Sequence, residues 1–215
     1  MSSKKKKKKK EEYSILFCDM DAVLVSFVAP ILKLMNRELQ NPSSEYRSHL
    51  AKMVKEELKR DYVTLKDIST SKKPCTRKFM FQLVKNRKSF WKDLPWIRGG
   101  KKLWKQIKKH NPIILTTPMD SASALGKLEW VKNNLDISED RFIADHEKHK
   151  YAKTKKGIPN LLIDDYIKNI MKFVDRGGFA IQHSYINVSK TLLELKEKYV
   201  QRKERKPKHT VSKKG

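Results

Sequence analysis

Two aspartates interrupt the first apolar segment of the chain. Residues 15–18 have the composition of a short buried strand, and Asp19 and Asp21 follow it, two positions apart. Because side chains alternate along an extended segment, both carboxylates are expected to point to the same side. Two like charges beside a hydrophobic core are unfavourable unless a positive group lies between them. The pair therefore predicts a site that holds a cation.

Polar residues also follow two later apolar segments, and they are Thr116, Thr117, Asp164 and Asp165. In an open parallel sheet, ligands bind at the carboxyl ends of the strands, so all of these groups could converge on one crevice. Four carboxylates in one crevice require a hard cation, and Mg²⁺ is the natural choice. An isolated acidic pair more often caps a helix or lies in a surface turn. Three strand ends of this kind together favour a single site.

The elements that must position these residues alternate along the chain. Short apolar strands are predicted within "ILFC", "IILT", "RFIA", "LLID" and "FAIQ", and helical patterns separate the later strands. This alternation predicts an α/β fold, in which helices cover both faces of a parallel sheet to give a three-layer α/β/α core. Residues 27–94 contain helical patterns and no clear strand, so we expect a helical insertion there.

The predicted organisation follows from these patterns. The core is expected over residues 13–26 and 95–200, and the helical insertion over 27–94. Residues 1–12 and 201–215 are basic, low-complexity tails that we expect to be disordered.

Composition restricts the classes of partner. The 215-residue chain has a formal net charge of +26, which favours phosphorylated small molecules or nucleic acid, although a solvated lysine-rich surface explains the charge of the core equally well. The basic tails could bind nucleic acid non-specifically.

Two cysteines make no disulfide framework, and no apolar run approaches the length of a membrane span. We expect a cytoplasmic location, or the host cytoplasm if the protein is viral; in a eukaryotic host the tails could direct it to the nucleus.

Three segments carry a resemblance to a known family. "ILFCDMDAVLV", "IILTTP" and "LLIDD" resemble, in order and spacing, motifs I, II and IV of the haloacid dehalogenase-like phosphohydrolases. More narrowly, the chain is similar to the 5′(3′)-deoxyribonucleotidase branch and its phage-encoded relatives, with "FWKDLPW", "GKLEWV" and "KHKYA" as supporting segments. The resemblance covers roughly residues 13–195. One departure is Ala22, where the branch usually has glycine; we expect activity to survive because alanine fits most backbone conformations.

The resemblance implies a Mg²⁺-dependent phosphatase that acts on deoxyribonucleoside monophosphates through an aspartyl-phosphate. Asp19 would attack phosphorus, and Asp21 would protonate the leaving oxygen and then accept the proton of the hydrolytic water. Asp19, the backbone carbonyl of Asp21, and the pair Asp164 and Asp165 would hold the metal.

The resemblance also implies phosphate-binding residues. Thr116, helped by Thr117, would donate hydrogen bonds to the phosphoryl oxygens. The chain departs from the family by offering several lysines where motif III has one, and the candidates are Lys148, which we prefer, and the alternatives Lys150 and Lys153. Lys127 resembles a second phosphate-side lysine, and a surface position explains it equally well.

The helical insertion would act as a cap that closes over the substrate and excludes water. Nucleotide recognition needs aromatic faces for stacking, and the candidates are Phe27, Phe90, Trp91 and Trp96. Each of them is more often plain core than a platform for a base, and we prefer Phe27 and Trp91. His183 follows a strand and could approach the crevice, but a lone histidine in such a place is more often structural.

Two other functions stay open at this point. The first is a phosphatase that acts on nucleic-acid ends, where the basic tails would hold the polymer. The second is a nucleic-acid-binding protein on a non-catalytic form of the fold. The second is disfavoured because Asp19, Asp21, Thr116 and Asp164 are all present.

Overall fold

The computed structural model of the protein describes residues 15–69 and 72–197. Its centre is a five-stranded parallel sheet with the strand order β3-β2-β1-β4-β5. The strands are β1 (Leu16–Cys18), β2 (Ile113–Thr116), β3 (Phe142–Ala144), β4 (Leu161–Asp164) and β5 (Phe179–Gln182). The predicted α/β fold is confirmed, and each of the five predicted strands is present.

Alternation along the strands divides the core into two clusters, one on each face of the sheet. Leu16 and Cys18 of β1 belong to the larger cluster, whereas Phe17 between them belongs to the smaller one. On that second face the ring of Phe17 meets Phe173 edge-on, with 6.4 Å between the ring centroids. Both faces of the central strand are therefore buried, which explains why its sequence is uniformly apolar rather than alternating.

The described part of residues 27–94 forms five α-helices. They are α1 (Val28–Gln40), α2 (Glu45–Leu58), α3 (Leu65–Ser69), α4 (Pro74–Val84) and α5 (Lys88–Lys92). Within the described part of 27–94 the chain forms no strand. The sequence patterns missed α3 and α5, because five residues are too few to show helical periodicity. That this segment acts as a separate cap stays a prediction.

The remaining helices belong to the sheet layers. They are α6 (Gly100–Ile107), α7 (Ser121–Asn134), α8 (Ile167–Asp175) and α9 (Val188–Leu195). The predicted tails at 1–12 and 201–215, and the ends of the predicted core at 13–14 and 198–200, lie outside the described residues. None of the helices described is long and apolar enough to cross a membrane.

The order of the strands creates a crevice at one edge of the sheet. The chain passes from the central strand β1 to β2 and β3 on one side, and then returns to β4 and β5 on the other. Where the order reverses, the connections that leave the carboxyl ends of neighbouring strands run in opposite directions and leave a crevice between them. Ligands bind in this crevice in open parallel sheets. Asp19 follows β1, Thr116 ends β2 and Asp164 ends β4, so all three lie at this edge.

Candidate active site

Three carboxylates meet at the carboxyl ends of β1 and β4. One oxygen from each of Asp19, Asp164 and Asp165 lies within 4.8 Å of the other two. The register of the two strands causes this, since Cys18 is paired with Ile163 and the Asp19 N–H donates to the Ile163 carbonyl at 2.8 Å. The residues that follow each strand are therefore placed side by side.

A buried lysine bridges two of these carboxylates. Lys148 Nζ lies 2.6 Å from Asp19 Oδ1 and 2.7 Å from Asp164 Oδ2, and only 2% of the lysine side chain is exposed. Lys150 and Lys153, the alternatives considered for the same role, are exposed. Of these three lysines, Lys148 is the one that the fold brings to the carboxylates.

Charge at this cluster is unbalanced. Burial, reinforced by the charges of Asp19 and Asp164, raises the pKa of Asp165 to about 7. Burial and Asp19 also raise the pKa of Asp164, against the opposing effect of Lys148. Burial works to lower the pKa of Lys148, but the two carboxylates outweigh it and the net shift is upward. When all three carboxylates are ionised, they exceed the one ammonium by two negative charges, and oxygen donors with that excess fit a hard divalent cation such as Mg²⁺.

The first turn of α8 holds the carboxylate of Asp164 in place. The backbone N–H of Tyr166 donates to Asp164 Oδ1 at 2.8 Å, and Asn169 Nδ2 donates to Oδ2 at 3.1 Å. Asn169 was not identified from the sequence. Its only signal is a spacing of five residues from Asp164, which becomes meaningful once the start of α8 is known.

A second buried lysine contacts Asp21. Lys127 Nζ lies 2.5 Å from Asp21 Oδ2, donates to Thr116 Oγ1 at 3.1 Å and to the Thr117 carbonyl at 2.9 Å. Its side chain is 1% exposed, so the alternative of a surface lysine does not apply. The hydroxyl of Thr117 turns away and donates to the Asp145 carbonyl at 3.4 Å. Thr116 is therefore the threonine whose hydroxyl lies in the site.

Helix α7 delivers Lys127 to this position. Asp120 caps the helix by accepting a hydrogen bond from the Ser123 N–H at 2.7 Å. A Cβ at Gly126 would lie 2.5 Å from the Lys88 carbonyl oxygen, so only glycine allows α7 to approach α5 this closely. Lys127 then lies against the ring of Trp91 in α5, with 5.1 Å from Nζ to the ring centroid.

Asp21 combines a raised pKa with a free oxygen. Burial raises its pKa, Lys127 acts against this, and the charge of Asp19 raises it further. Oδ1 is buried and has no hydrogen-bond partner among the described residues. A buried acceptor without a donor is unfavourable, so this oxygen is poised to receive a donor from a bound molecule.

The backbone at Ala22 corrects one expectation. Its φ of 56° lies in the left-handed region, which costs an L-residue about 1–2 kcal/mol and costs glycine almost nothing. Alanine therefore does not fit this position freely, and the reason for which we expected it to be harmless was wrong. That activity survives at this position stays a prediction.

A cavity of about 750 Å³ extends from Asp21 toward α1 and α5. Phe27 and Trp91 line it and stack on each other, with ring centroids 5.4 Å apart and an interplanar angle of 15°. Trp91 is only 4% exposed, so it forms part of the wall and offers no open face. Its Nε1 is buried, and nothing in the described part of the chain accepts a hydrogen bond from it. Phe27 is partly exposed and is the more accessible of the two rings.

The side chain of His183 is buried against α9. Its Nδ1 lies 2.9 Å from Thr191 Oγ1 of α9, and burial lowers its pKa to about 4. These contacts agree with the structural role weighed for this histidine in the sequence analysis.

Comparison with known proteins identifies the family of the chain. Residues 13–192 match the family described as 5′ nucleotidase, deoxy (pyrimidine), cytosolic type C protein. No curated protein matches the chain in sequence.

Several solved structures resemble the chain at low sequence identity. A hydrolase from Streptococcus pneumoniae TIGR4 is 12% identical with a TM-score of 0.47, over 85% of this chain and 99% of that one. A HAD family hydrolase from Deinococcus radiodurans R1, with bound phosphate and sodium, is 13% identical with a TM-score of 0.47, over 78% and 79%. A β-phosphoglucomutase from Clostridium difficile is 16% identical with a TM-score of 0.39, over 90% and 100%.

Proposed function

The chain belongs to the 5′-nucleotidase, deoxy (pyrimidine), cytosolic type C family of haloacid dehalogenase-like phosphohydrolases, and we propose that it is a Mg²⁺-dependent phosphatase of deoxyribonucleoside monophosphates. Its reaction class, hydrolysis of phosphomonoesters, follows from the family. The metal and the substrate are our proposal. The observation that carries it is the convergence of Asp19, Asp164 and Asp165, two of which Lys148 bridges, beside Asp21 at the end of an aromatic cavity.

Asp19, Asp164 and Asp165, together with the backbone carbonyl of Asp21, would hold the metal. When bound, Mg²⁺ would neutralise the negative charge that the carboxylates share with a phosphate group and so reduce their repulsion. The two excess charges of the carboxylate cluster support this assignment.

Asp19 is proposed to be the nucleophile. Lys148 Nζ holds Oδ1 at 2.6 Å, and among the described residues no donor contacts the other oxygen. Attack by that oxygen forms the bond to phosphorus while the bond from phosphorus to the ester oxygen breaks, which yields an aspartyl-phosphate. Lys148 orients the attacking carboxylate throughout.

Asp21 is proposed to carry the proton in both steps. Its raised pKa favours the protonated form that can give a proton to the departing nucleoside oxygen. The resulting carboxylate then accepts a proton from the water that attacks the aspartyl-phosphate, which restores both aspartates and releases phosphate. Lys127, at 2.5 Å from Oδ2, holds the side chain in place.

The phosphoryl oxygens would be bound by the lysines and Thr116. Because the Thr116 hydroxyl accepts a hydrogen bond from Lys127 at 3.1 Å, its own proton is free to be donated to the substrate. Fixed donors of this kind stabilise charge that develops in the transition state. Thr117 is proposed to contribute through its backbone carbonyl, which anchors Lys127.

Phosphate release from a panel of nucleoside monophosphates tests this proposal, with and without Mg²⁺ and with a chelator. We expect turnover that needs the metal. Lys148→Ala should lower kcat by about 10²–10³, because a fixed cation at the reacting carboxylate is lost. Lys150→Ala is the matched control and should behave like the parent. Parent protein that releases no phosphate, or releases it equally in the chelator, would contradict the proposal.

A further inference from the structure

An arginine without a partner lines the same cavity as Asp21. Arg98 is exposed at the wall, and among the described residues no carboxylate, carbonyl or aromatic ring contacts its guanidinium. Within the described part of the cavity wall, Asp21 is the one acidic residue, and its charge is already matched by Lys127 at 2.5 Å. The cavity therefore has a reactive end and, separately, an unmatched positive charge.

The backbone fixes Arg98 at this wall. The N–H of Ile97 donates to the Leu24 carbonyl at 2.9 Å, which ties the segment to the loop after β1. On the other side of Arg98, a Cβ at Gly100 would lie 2.5 Å from the same carbonyl oxygen, so this close approach requires glycine. The arginine lies between two points of tight contact with the loop that carries Asp21. It is thus not an arbitrary surface cation.

Neutral and apolar groups occupy the wall near Arg98. Phe27 and Trp96 supply aromatic surface, while Ser26 and Tyr185 supply hydroxyl groups. A nucleoside can fill such a space with its base and sugar. A second anionic group on the molecule would then find one strong positive partner along the described wall, the guanidinium of Arg98.

We propose that the preferred substrates carry a second phosphate group besides the one that is hydrolysed, and that Arg98 binds it. This inference rests on the proposed function and narrows its substrate class. Guanidinium groups bind phosphate through two parallel hydrogen bonds, which an ammonium group cannot do. Two sources supply this chemistry: a nucleoside 3′,5′-bisphosphate, or the phosphorylated end of an oligonucleotide.

Comparison of substrates that carry one phosphate group with substrates that carry two tests the inference. The measurement is kcat/KM for a deoxynucleoside 5′-monophosphate, its 3′,5′-bisphosphate and a 5′-phosphorylated dinucleotide, at fixed Mg²⁺ and low salt. We expect the parent to prefer at least one of the latter two by about fivefold to tenfold, through KM. Arg98→Ala should abolish this preference and leave the monophosphate unchanged. Arg176→Ala, which removes an exposed arginine that does not line the cavity, is the control.

The two outcomes that favour the inference also identify the source. A preference for the bisphosphate alone indicates a small molecule, and a preference for the dinucleotide alone indicates a polymer end. No preference in the parent, or an equal loss on all three substrates in Arg98→Ala, would overturn it. Failure of the proposed function is distinct, since the parent would then release phosphate from none of them. Calorimetric binding of the bisphosphate and of the 5′-phosphorylated dinucleotide to Asp19→Asn, with and without Arg98→Ala, gives a readout that needs no turnover, and affinities that Arg98→Ala leaves unchanged for both ligands would also overturn the inference.

Discussion

Replacing Lys127 with methionine removes a buried ammonium and keeps most of the apolar volume of the side chain. In the protein, Nζ contacts oxygens of Asp21, Thr116 and Thr117 at 2.5, 3.1 and 2.9 Å. The variant leaves Asp21 without a hydrogen bond to either oxygen, because Oδ1 already has none. The substitution therefore leaves a carboxylate in a partly buried place with no positive partner.

The loss of stability in Lys127→Met can be estimated from the exposed fractions of the Lys127 and Asp21 side chains. Removing one partner of a buried ion pair costs about 3–5 kcal/mol. The Asp21 side chain is 33% exposed, so water replaces part of the lost interaction, while the cost of burying Lys127 itself disappears. We expect the free energy of unfolding at pH 7 to fall by about 2–3 kcal/mol.

The pH dependence has a definite sign. Burial raises the pKa of Asp21, and the variant lacks the lysine that opposes this shift. A carboxyl group with a raised pKa in the folded state binds its proton more tightly there than in the unfolded chain, so its contribution to stability is present at low pH and is lost as the pH rises. The defect should therefore shrink as the pH is lowered from 7 toward the ordinary pKa of an aspartate.

Urea unfolding followed by circular dichroism measures this. Lys132→Met is the matched control, because Lys132 lies on the same helix and forms an exposed ion pair with Glu139 at 2.6 Å. It should cost less than about 1 kcal/mol. A double-mutant cycle with Asp21→Asn should give a coupling energy of about 1–3 kcal/mol. Equal losses in the two lysine variants, or additive effects of Lys127→Met and Asp21→Asn, would refute the reasoning.

Three further predictions concern backbone strain, a buried histidine and the tails. Ala22→Gly relieves the strain at φ 56° and should raise the free energy of unfolding by up to about 1 kcal/mol, net of the added entropy of the unfolded chain; a lower Tm would contradict this. His183 is buried with a pKa of about 4, so the parent should lose up to about 3 kcal/mol as the pH falls from 6.5, and His183→Gln should remove most of this slope; identical slopes would count against it. Deleting 1–12 and 201–215 should leave kcat on a mononucleotide unchanged and flatten the salt dependence of any nucleic-acid binding; a large fall in kcat would place a tail in the active site.

The strands of the sheet could be predicted from the sequence because a strand buried on both faces is a short, uniformly apolar segment. A run such as residues 161–163 is uniformly apolar and ends abruptly at Asp164, so both the strand and its reactive end can be identified. The order of the strands has no such local signal in the sequence. The contact between Lys148 and Asp19 depends on this strand order. The sequence places Lys148 in a loop between two strands, and that position was enough to prefer it over Lys150 and Lys153 but not to predict the contact.

The residues that were harder to predict depend on contacts between distant segments. Helical periodicity places Lys127 off the apolar face of α7, and its burial arises from α5 packing across Gly126. The left-handed φ of Ala22 is likewise imposed by the turn after β1, which alanine itself does not favour. Arg98 has no motif, and its place at the cavity follows from the pairing of its segment with the loop after β1.

Covalent catalysis by Asp19 is the central claim, and the rate of phosphate release by Asp19→Asn tests it most directly. Asparagine keeps the shape of the side chain and removes the attacking charge, so the variant should remain folded by circular dichroism and release phosphate from a deoxynucleoside monophosphate at less than about a thousandth of the parent rate. A folded Asp19→Asn protein that keeps a tenth or more of the parent rate would contradict the claim.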